Sequence, residues 1–377
     1  MSNKDHKSFS LSPEIVKILL SYLQNKELPK NVCFESELSN NYQKAILHHG
    51  LTSFIYNHPS QGELHQQLKK ILKNQYFTIT LRNTQLFQTY TKITTAFELY
   101  KINYIPLKGA FLLPYIYNDT SARGMSDIDI LIHPADYEKS KEILFKLGAT
   151  QQEDNQSVFL QSLGHQYPPF WIFNTSVEIH SRLLPANLQY NIPVEDVWNH
   201  LIQYSQAGSN VENLDSYLLI CYLALHIYYS EKRGEYRIYW YLDIFKVLES
   251  LQNYDASNLK HWLTKYGIEK PVYEILSKVI FLFNRSIIGV EPLSPKSEKE
   301  FCSQLALQTE NKNSGYSIAI ERVVYTKGIF NKFRYIFHTI HFGEESNAHT
   351  STFSRSVSIL KKLVNYLSAP VTSLLKR

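Results

Sequence analysis

Cysteine is scarce in this chain: Cys33, Cys221 and Cys302 are the only three in 377 residues, and no two form a C-x-x-C pair. That spacing argues against a disulfide-stapled scaffold and against a zinc finger, and it fits a reducing compartment. Cys221 lies in the apolar helical run LLICYLALH, where a small buried thiol is expected. Long hydrophobic runs are missing as well. The most apolar stretch, 217–229, falls short of the roughly 20 residues that a bilayer-spanning helix needs. The opening MSNKDHKSFSLSPE carries no apolar core of the signal-peptide kind. A soluble, cytoplasmic protein is therefore expected. Charge of one sign is also in short supply: 39 Lys and Arg stand against 34 Asp and Glu, a net +5 dispersed along the chain. The body of the chain shows no basic stripe, which disfavours a protein that grips a nucleic-acid backbone. A phosphate-bearing small molecule or a protein partner fits this balance equally well. Glycine (13) and methionine (2) are few while tyrosine (27) and phenylalanine (20) are many, a bias that reads as AT-rich coding rather than as a special function.

What is present is an ordinary globular composition, 44% hydrophobic and 19% charged, long enough for two or three compact units. Residues 11 to about 100 read as helices. Ser12-Pro13-Glu14 is a start signal, with Ser at the cap and Pro in the first turn. The segment 64–100 contains neither Gly nor Pro and repeats its apolar residues at helical spacing, which predicts one long amphipathic helix or two stacked ones. The pattern changes at Ile102. INYIPLKG is a short apolar run ending in Gly, AFLLPYIY resumes a helical run interrupted by Pro, and SDIDILIHP alternates strictly. In that last run Ile128, Ile130 and Ile132 share one face of a strand, and Asp127, Asp129 and Leu131 share the other. Residues 135–148 predict a helix closed by Gly148, and SVFLQSL and VEIHSRLL predict two further strands. From about Asp215 the chain reads as helices again, with GVEPLSPKSEKE as a linker or loop and 343–354 as a flexible polar segment. The expected architecture is α+β: an N-terminal helical region over 1–100, a small mixed-sheet core over 101–205, and a C-terminal helical region over 206–377.

Asp127 and Asp129 leave the same face of their strand, about 7 Å apart along the backbone. Such a D-x-D pair has two readings, a solvated strand face or a divalent-cation site. Two carboxylates this close raise each other's pKa unless a cation sits between them, and Mg²⁺ accepts one or two carboxylates together with substrate phosphate oxygens. Three further features favour the cation. Lys108-Gly109 ends an apolar strand, where a Gly turn lets the backbone approach phosphates. Arg123 stands four residues before Asp127, within reach of a phosphate. Glu178 sits between Val177 and Ile179, so alternation points it away from the apolar face.

The run LKGAFLLPYIYNDTSARGMSDIDILI resembles the signature of an uncharacterised bacterial nucleotidyltransferase family related to DNA polymerase β-like enzymes. The family pattern places a Gly turn before an acidic-x-acidic strand and a third acidic residue on a neighbouring strand, matched here by Gly109, Asp127 with Asp129, and Glu178. NYQKAILHHGLTSFIYNH, GHQYPPFWIFNTSVEIHSRLL with His165 and His180, and ALHIYYSEKRGEYRIYWYLDIFKVL with His226, Trp240 and Asp243 extend the likeness over roughly residues 35–250. Ala110 departs from the Ser that better-known transferases carry after the Gly. The Gly109 to Asp127 separation is also longer than in minimal transferases.

The resemblance implies a metal-dependent enzyme that moves an NMP from an NTP, ATP first among them, to a hydroxyl acceptor. Asp127, Asp129 and Glu178 would be the catalytic ligands of two Mg²⁺ or Mn²⁺ ions, with Glu178 also a base for the acceptor. Lys108, Gly109, Arg123, Ser126 and His180 would form the nucleotide-binding set, Lys108 and Arg123 neutralising triphosphate charge. A non-catalytic nucleotide-binding or scaffold protein of a biosynthetic gene cluster is the alternative. The acceptor stays open between small molecule, protein and RNA, and nothing in the sequence sets an oligomeric state.

Several other residues admit structural readings. His165 and His180 fit hydrogen-bonded framework roles, and a buried His226–Asp243 or Asp243–Arg237 contact would join two helices. Trp240 reads as core. The tail from Ser354, with Arg355, Lys361, Lys362, Lys376 and Arg377 around apolar residues, reads as a basic helix docking on the protein itself rather than on a membrane.

Overall fold

The computed structural model describes residues 9–10, 13–28, 36–151, 158–206, 209–308 and 314–342. Cys33, Ser12, the polar segment 343–354 and the basic tail lie outside them.

A two-residue strand β1 (Phe9–Ser10) leads into α1 (Pro13–Leu23), α2 (Ser36–His48), α3 (Thr52–Tyr56) and α4 (Glu63–Leu99). The Gly- and Pro-free segment forms a single unbroken helix of 37 residues, about 55 Å long at 1.5 Å per residue. Its first half buries Leu68 and Leu72 in one core, and its second half buries Leu86, Ile93 and Phe97 in another.

The fold is α+β. Strands β2 (Tyr104–Pro106), β3 (Asp127–Ile132), β4 (Thr150–Gln151), β5 (Phe170–Ile172) and β6 (Thr175–His180) make one mixed sheet in the order β2-β3-β6-β5-β4. Only the β3–β6 pair is parallel. A parallel pair needs a long return, and the crossover from β3 includes helix α6 (Tyr137–Lys146). Between β2 and β3 lie α5 (Lys108–Leu112) and a turn of π-helix, Leu113–Tyr117. The π turn coincides with Pro114, which has no N–H to give to the ordinary helical ladder.

Alternation places Ile128, Ile130, Ile132, Val177 and Ile179 on one sheet face, in the core shared with the second half of α4. The opposite face is not a solvent face. Leu131 and Ile105 there join the larger core built by the surrounding helices. Those helices are α8 (Val194–Asn199), α9 (Ser216–Lys232), α10 (Ile238–Ser250), α11 (Ala256–Tyr266), α12 (Glu269–Phe283) and α13 (Pro295–Ala306). The helices at the start of the chain share this core, and Gln24 Nε2 donates to the Phe281 carbonyl at 2.8 Å. A hairpin of β7 (Leu201–Gln206) and β8 (Ser209–Leu214), a short strand β9 (Leu307–Gln308) paired with β1, and helices α14 (Ser314–Tyr325) and α15 (Ile329–Phe342) complete the described chain.

Three expectations are corrected. SVFLQSL forms a helix, α7 (Val158–Leu163), rather than a strand. Its apolar residues run consecutively instead of alternating, and Phe159, Leu160 and Leu163 gather on Val323 and Tyr335. The strand that does pair there is β5, joined to β6 through Phe173 and Asn174, whose φ values of 50° and 61° make the tight turn that suits a two-residue hairpin. The expected loop GVEPLSPKSEKE turns helical at Pro295, a residue suited to the first helical turn. Asp243 does form a buried ion pair, but with Arg123 (Nε to Oδ1, 2.9 Å) rather than with Arg237, which bonds to His48. Among the described residues no helix is long and apolar enough to cross a membrane.

Arg123 and Asp243 are 5% and 3% exposed, so removing one leaves the other in the interior without its opposite charge. Arg123→Met is expected to lower the unfolding free energy by about 3–5 kcal/mol. The Arg123→Met/Asp243→Leu double variant should recover a large part of that loss. Urea unfolding of the three proteins checks this, and additive losses would show that the pair is not coupled.

Candidate active site

The parallel register of β3 and β6 sets Asp129 opposite Glu178, Asp127 opposite Ser176 and Leu131 opposite His180. Because both strands bury their isoleucines and valine on the other side, these polar groups share the face turned toward the helical core. Asp129 is only 2% exposed and His180 fully buried, while Asp127 and Glu178 remain partly open.

Lys108 closes the group from the end of β2. The Leu107 N–H donates to the Asp129 carbonyl at 3.0 Å, extending the β2–β3 ladder by one bond. Lys108 then takes a left-handed backbone, φ 45°, that starts α5. Its Nζ donates to Asp129 Oδ1 at 2.9 Å. The same oxygen meets His180 Nε2 at 2.9 Å, and His180 Nε2 lies 3.8 Å from Glu178 Oε2. Burial opposes a charge on Asp129, yet the Lys108 ammonium and the His180 bond outweigh it and hold the carboxyl well below the usual range. Burial likewise opposes the Lys108 charge, and Asp129 more than restores it. For Glu178 the Lys108 charge and a Gln166 hydrogen bond compensate only in part. Burial, and then the charge on Asp129, push its carboxyl up to about 7. Asp127 is raised in the same way, first by burial and then by Asp129, while the Ser126 hydroxyl hydrogen-bonds its carboxylate.

Asp129, Glu178 and His180 each offer a ligand atom, and these atoms lie within 4.8 Å of one another. Two carboxylates and an imidazole are donors that fit Mn²⁺ or Mg²⁺, with Asp127 beside them as a further oxygen donor. The raised Glu178 is what carboxylates crowded without full neutralisation show, so the residues fit a divalent cation.

Other expected residues stand differently. Arg123 is enclosed: Nε donates to Asp243, Nη1 to the Gly124 carbonyl at 2.9 Å, and the guanidinium sits 4.8 Å from the centre of the Tyr239 ring. Tyr117 adds a hydroxyl bond to Asp243 at 2.8 Å. Arg123 thus ties α10 to the loop before β3. Gly109 has a packing reason, since a Cβ there would lie 2.8 Å from Met125 Cγ. Ala110 is 1% exposed in the sheet core, so its missing hydroxyl is lost from an inward-facing position. The His165 ring lies 5.3 Å from that of His180, and burial holds His165 well below its ordinary pKa. Burial, then Lys108, hold His226 down to about 3, and its ring meets Trp240 edge-on at 5.4 Å.

One neighbour escaped the reading of the sequence. The Tyr222 hydroxyl of α9 is buried with no hydrogen-bond partner, and its charged neighbours are Lys108, Asp129 and Glu178. Its signal lay in the spacing: Tyr222 and His226 are one helical turn apart and share a face of α9.

A family model described as "Uncharacterised nucleotidyltransferase" matches residues 39–283. Two solved structures of ANT(2")-Ia are also similar. One is the crystal structure in complex with adenylyl-2"-tobramycin, at 15% identity and TM-score 0.35, covering 49% of this chain and 97% of that one. The other is a solution structure, at 14% identity and TM-score 0.35, covering 51% and 95%. At that level of similarity neither bears on the chemistry here. No curated protein matches the sequence.

With Glu178 half-protonated near pH 7, a divalent cation must displace a proton to bind below that pH. Mn²⁺ affinity is expected to fall by up to about tenfold per pH unit below about 7. Glu178→Gln should bind more weakly and lose most of this pH dependence. Calorimetric titration at pH 5.5, 6.5 and 7.5 checks it.

Proposed function

The chain belongs to the uncharacterised nucleotidyltransferase family, and from that premise we propose that it transfers a nucleoside monophosphate from an NTP, ATP first among them, to a hydroxyl of an acceptor. Small molecule, protein and RNA all remain within this reading. The observation that carries it is the β3–β6 register, which brings Asp127, Asp129 and Glu178 to one face beside Lys108. Asp127 and Asp129 present the oxygens that would hold Mg²⁺ or Mn²⁺, with Glu178 completing the donor set. The cation would supply charge at the triphosphate and orient it for displacement at the α-phosphorus.

The chain's own part is positional and acid–base. The acceptor oxygen bonds to the α-phosphorus, the bond from that phosphorus to the bridging oxygen breaks, and pyrophosphate leaves. Glu178 takes the acceptor's proton, being the partly open carboxylate beside buried Asp129. His180 holds Asp129 in orientation from beneath. Arg123 acts at a distance from the phosphates, holding the approach to β3 in place through Asp243.

Incubation with α-³²P-labelled ATP, GTP, CTP and UTP, Mg²⁺ or Mn²⁺ and cell lysate should label one acceptor fraction. Asp127→Asn and Asp129→Asn should each lose about a thousandfold in rate, the equivalent of about 4 kcal/mol. Calorimetry with Mg²⁺ and NTP separates this from a scaffold role. Equal, weak heats from the wild type and the Asp127→Ala/Asp129→Ala variant would sink the enzyme reading.

A further inference from the structure

A two-cation site is usually built on a shared carboxylate that gives one oxygen to each ion, the ions standing about 3.5–4 Å apart. Asp129 is the most buried carboxylate of this group and the central one in the register. Its Oδ1 already receives Lys108 Nζ and His180 Nε2, both at 2.9 Å. A carboxylate oxygen has two lone pairs, so Oδ1 is saturated and Oδ2 alone is left for an ion. The ammonium therefore stands where one of two bridged cations would stand. Charge balance points the same way: three carboxylates, Asp127, Asp129 and Glu178, are neutralised by one ammonium and one divalent cation. A separate feature marks the Lys108 side as a place where a ligand arrives. The Tyr222 hydroxyl, 1% exposed and without a partner, has Lys108, Asp129 and Glu178 as its charged neighbours. An orphaned hydroxyl in the interior costs free energy until an incoming group bonds to it, and a phosphate oxygen bound at Lys108 would be such a group.

We propose that this site admits one divalent cation rather than two, because the side chain of Lys108 fills the second cation position. The proposal rests on the nucleotidyltransferase reading above and revises the two-ion arrangement that the family resemblance implies. In it Lys108 stays on Asp129, its ammonium also meets a substrate phosphate oxygen, and Tyr222 donates to that same oxygen.

Electron paramagnetic resonance of the full chain with Mn²⁺ and a non-hydrolysable α,β-methylene ATP analogue tests it. The wild type is expected to bind one Mn²⁺ per chain beyond that held by free analogue, with the six-line spectrum of an isolated ion. Lys108→Met should take up a second ion and show the multiline spectrum of a spin-coupled pair. Lys108→Arg, which keeps the positive charge, should remain at one, and its folding guards against a trivial loss in the methionine variant. A coupled pair in the wild type would overturn the proposal and leave the nucleotidyltransferase reading standing. One ion in both the wild type and a folded Lys108→Met would overturn Lys108 as the cause. Absence of any bound Mn²⁺ in all three would overturn the metal-dependent reading itself.

Discussion

A carboxylate that is 2% exposed can stay charged only if its surroundings are built for it, and Asp129 is such a group. Lys108 reaches it from the end of β2, His180 from β6, and the backbone beside it is pinned by the Leu107 N–H. The two side chains come from different elements, so the sheet order β2-β3-β6 and the ion cluster presuppose each other. The neighbouring carboxyls inherit the consequence. Asp127 and Glu178 are pushed toward protonation by burial and by the charge on Asp129. That imbalance, and not the number of acidic residues, is what makes the cluster receptive to a cation.

A second buried pair does for the framework what Lys108 does for the centre. Arg123 and Asp243, with Tyr117 and Tyr239 around them, fasten α10 across the segment that enters β3. Burying two charges is costly, and such a pair is poor evidence of stability in itself. Its value is directional, because it fixes one orientation of α10 against the sheet. The approach to Asp127 then has a rigid wall on one side.

How far this was legible in the sequence depends on the range of the interaction. Strands β3 and β6 declared themselves by alternation, and Glu178 followed from its position between Val177 and Ile179. Alternation failed where strands are very short, as in β5, and where both faces are polar or exposed, as in β7. It also misled about Leu131, which shares a face with the aspartates yet is fully buried, because a second core covers that face. Arg123 read as a phosphate ligand because its proximity to Asp127 is visible in sequence, whereas Asp243 lies 120 residues away. Tyr222 was hidden among 27 tyrosines, and its place beside Lys108, Asp129 and Glu178 is what singles it out.

The helices that begin the chain share one core with helices near its end, a closure spanned by the bond from Gln24 to Phe281 across 257 positions. At translation rates of about 5–20 residues per second, Gln24 leaves the ribosome roughly 13–51 s before Phe281 does. During that interval Ile15, Ile18 and Leu19 share a core with α2, α3 and the first half of α4 but lack α12 and α13, which complete it. The core around α1 can therefore be completed only after every strand of the β2-β3-β6-β5-β4 sheet has emerged, because α12 and α13 follow them in the chain.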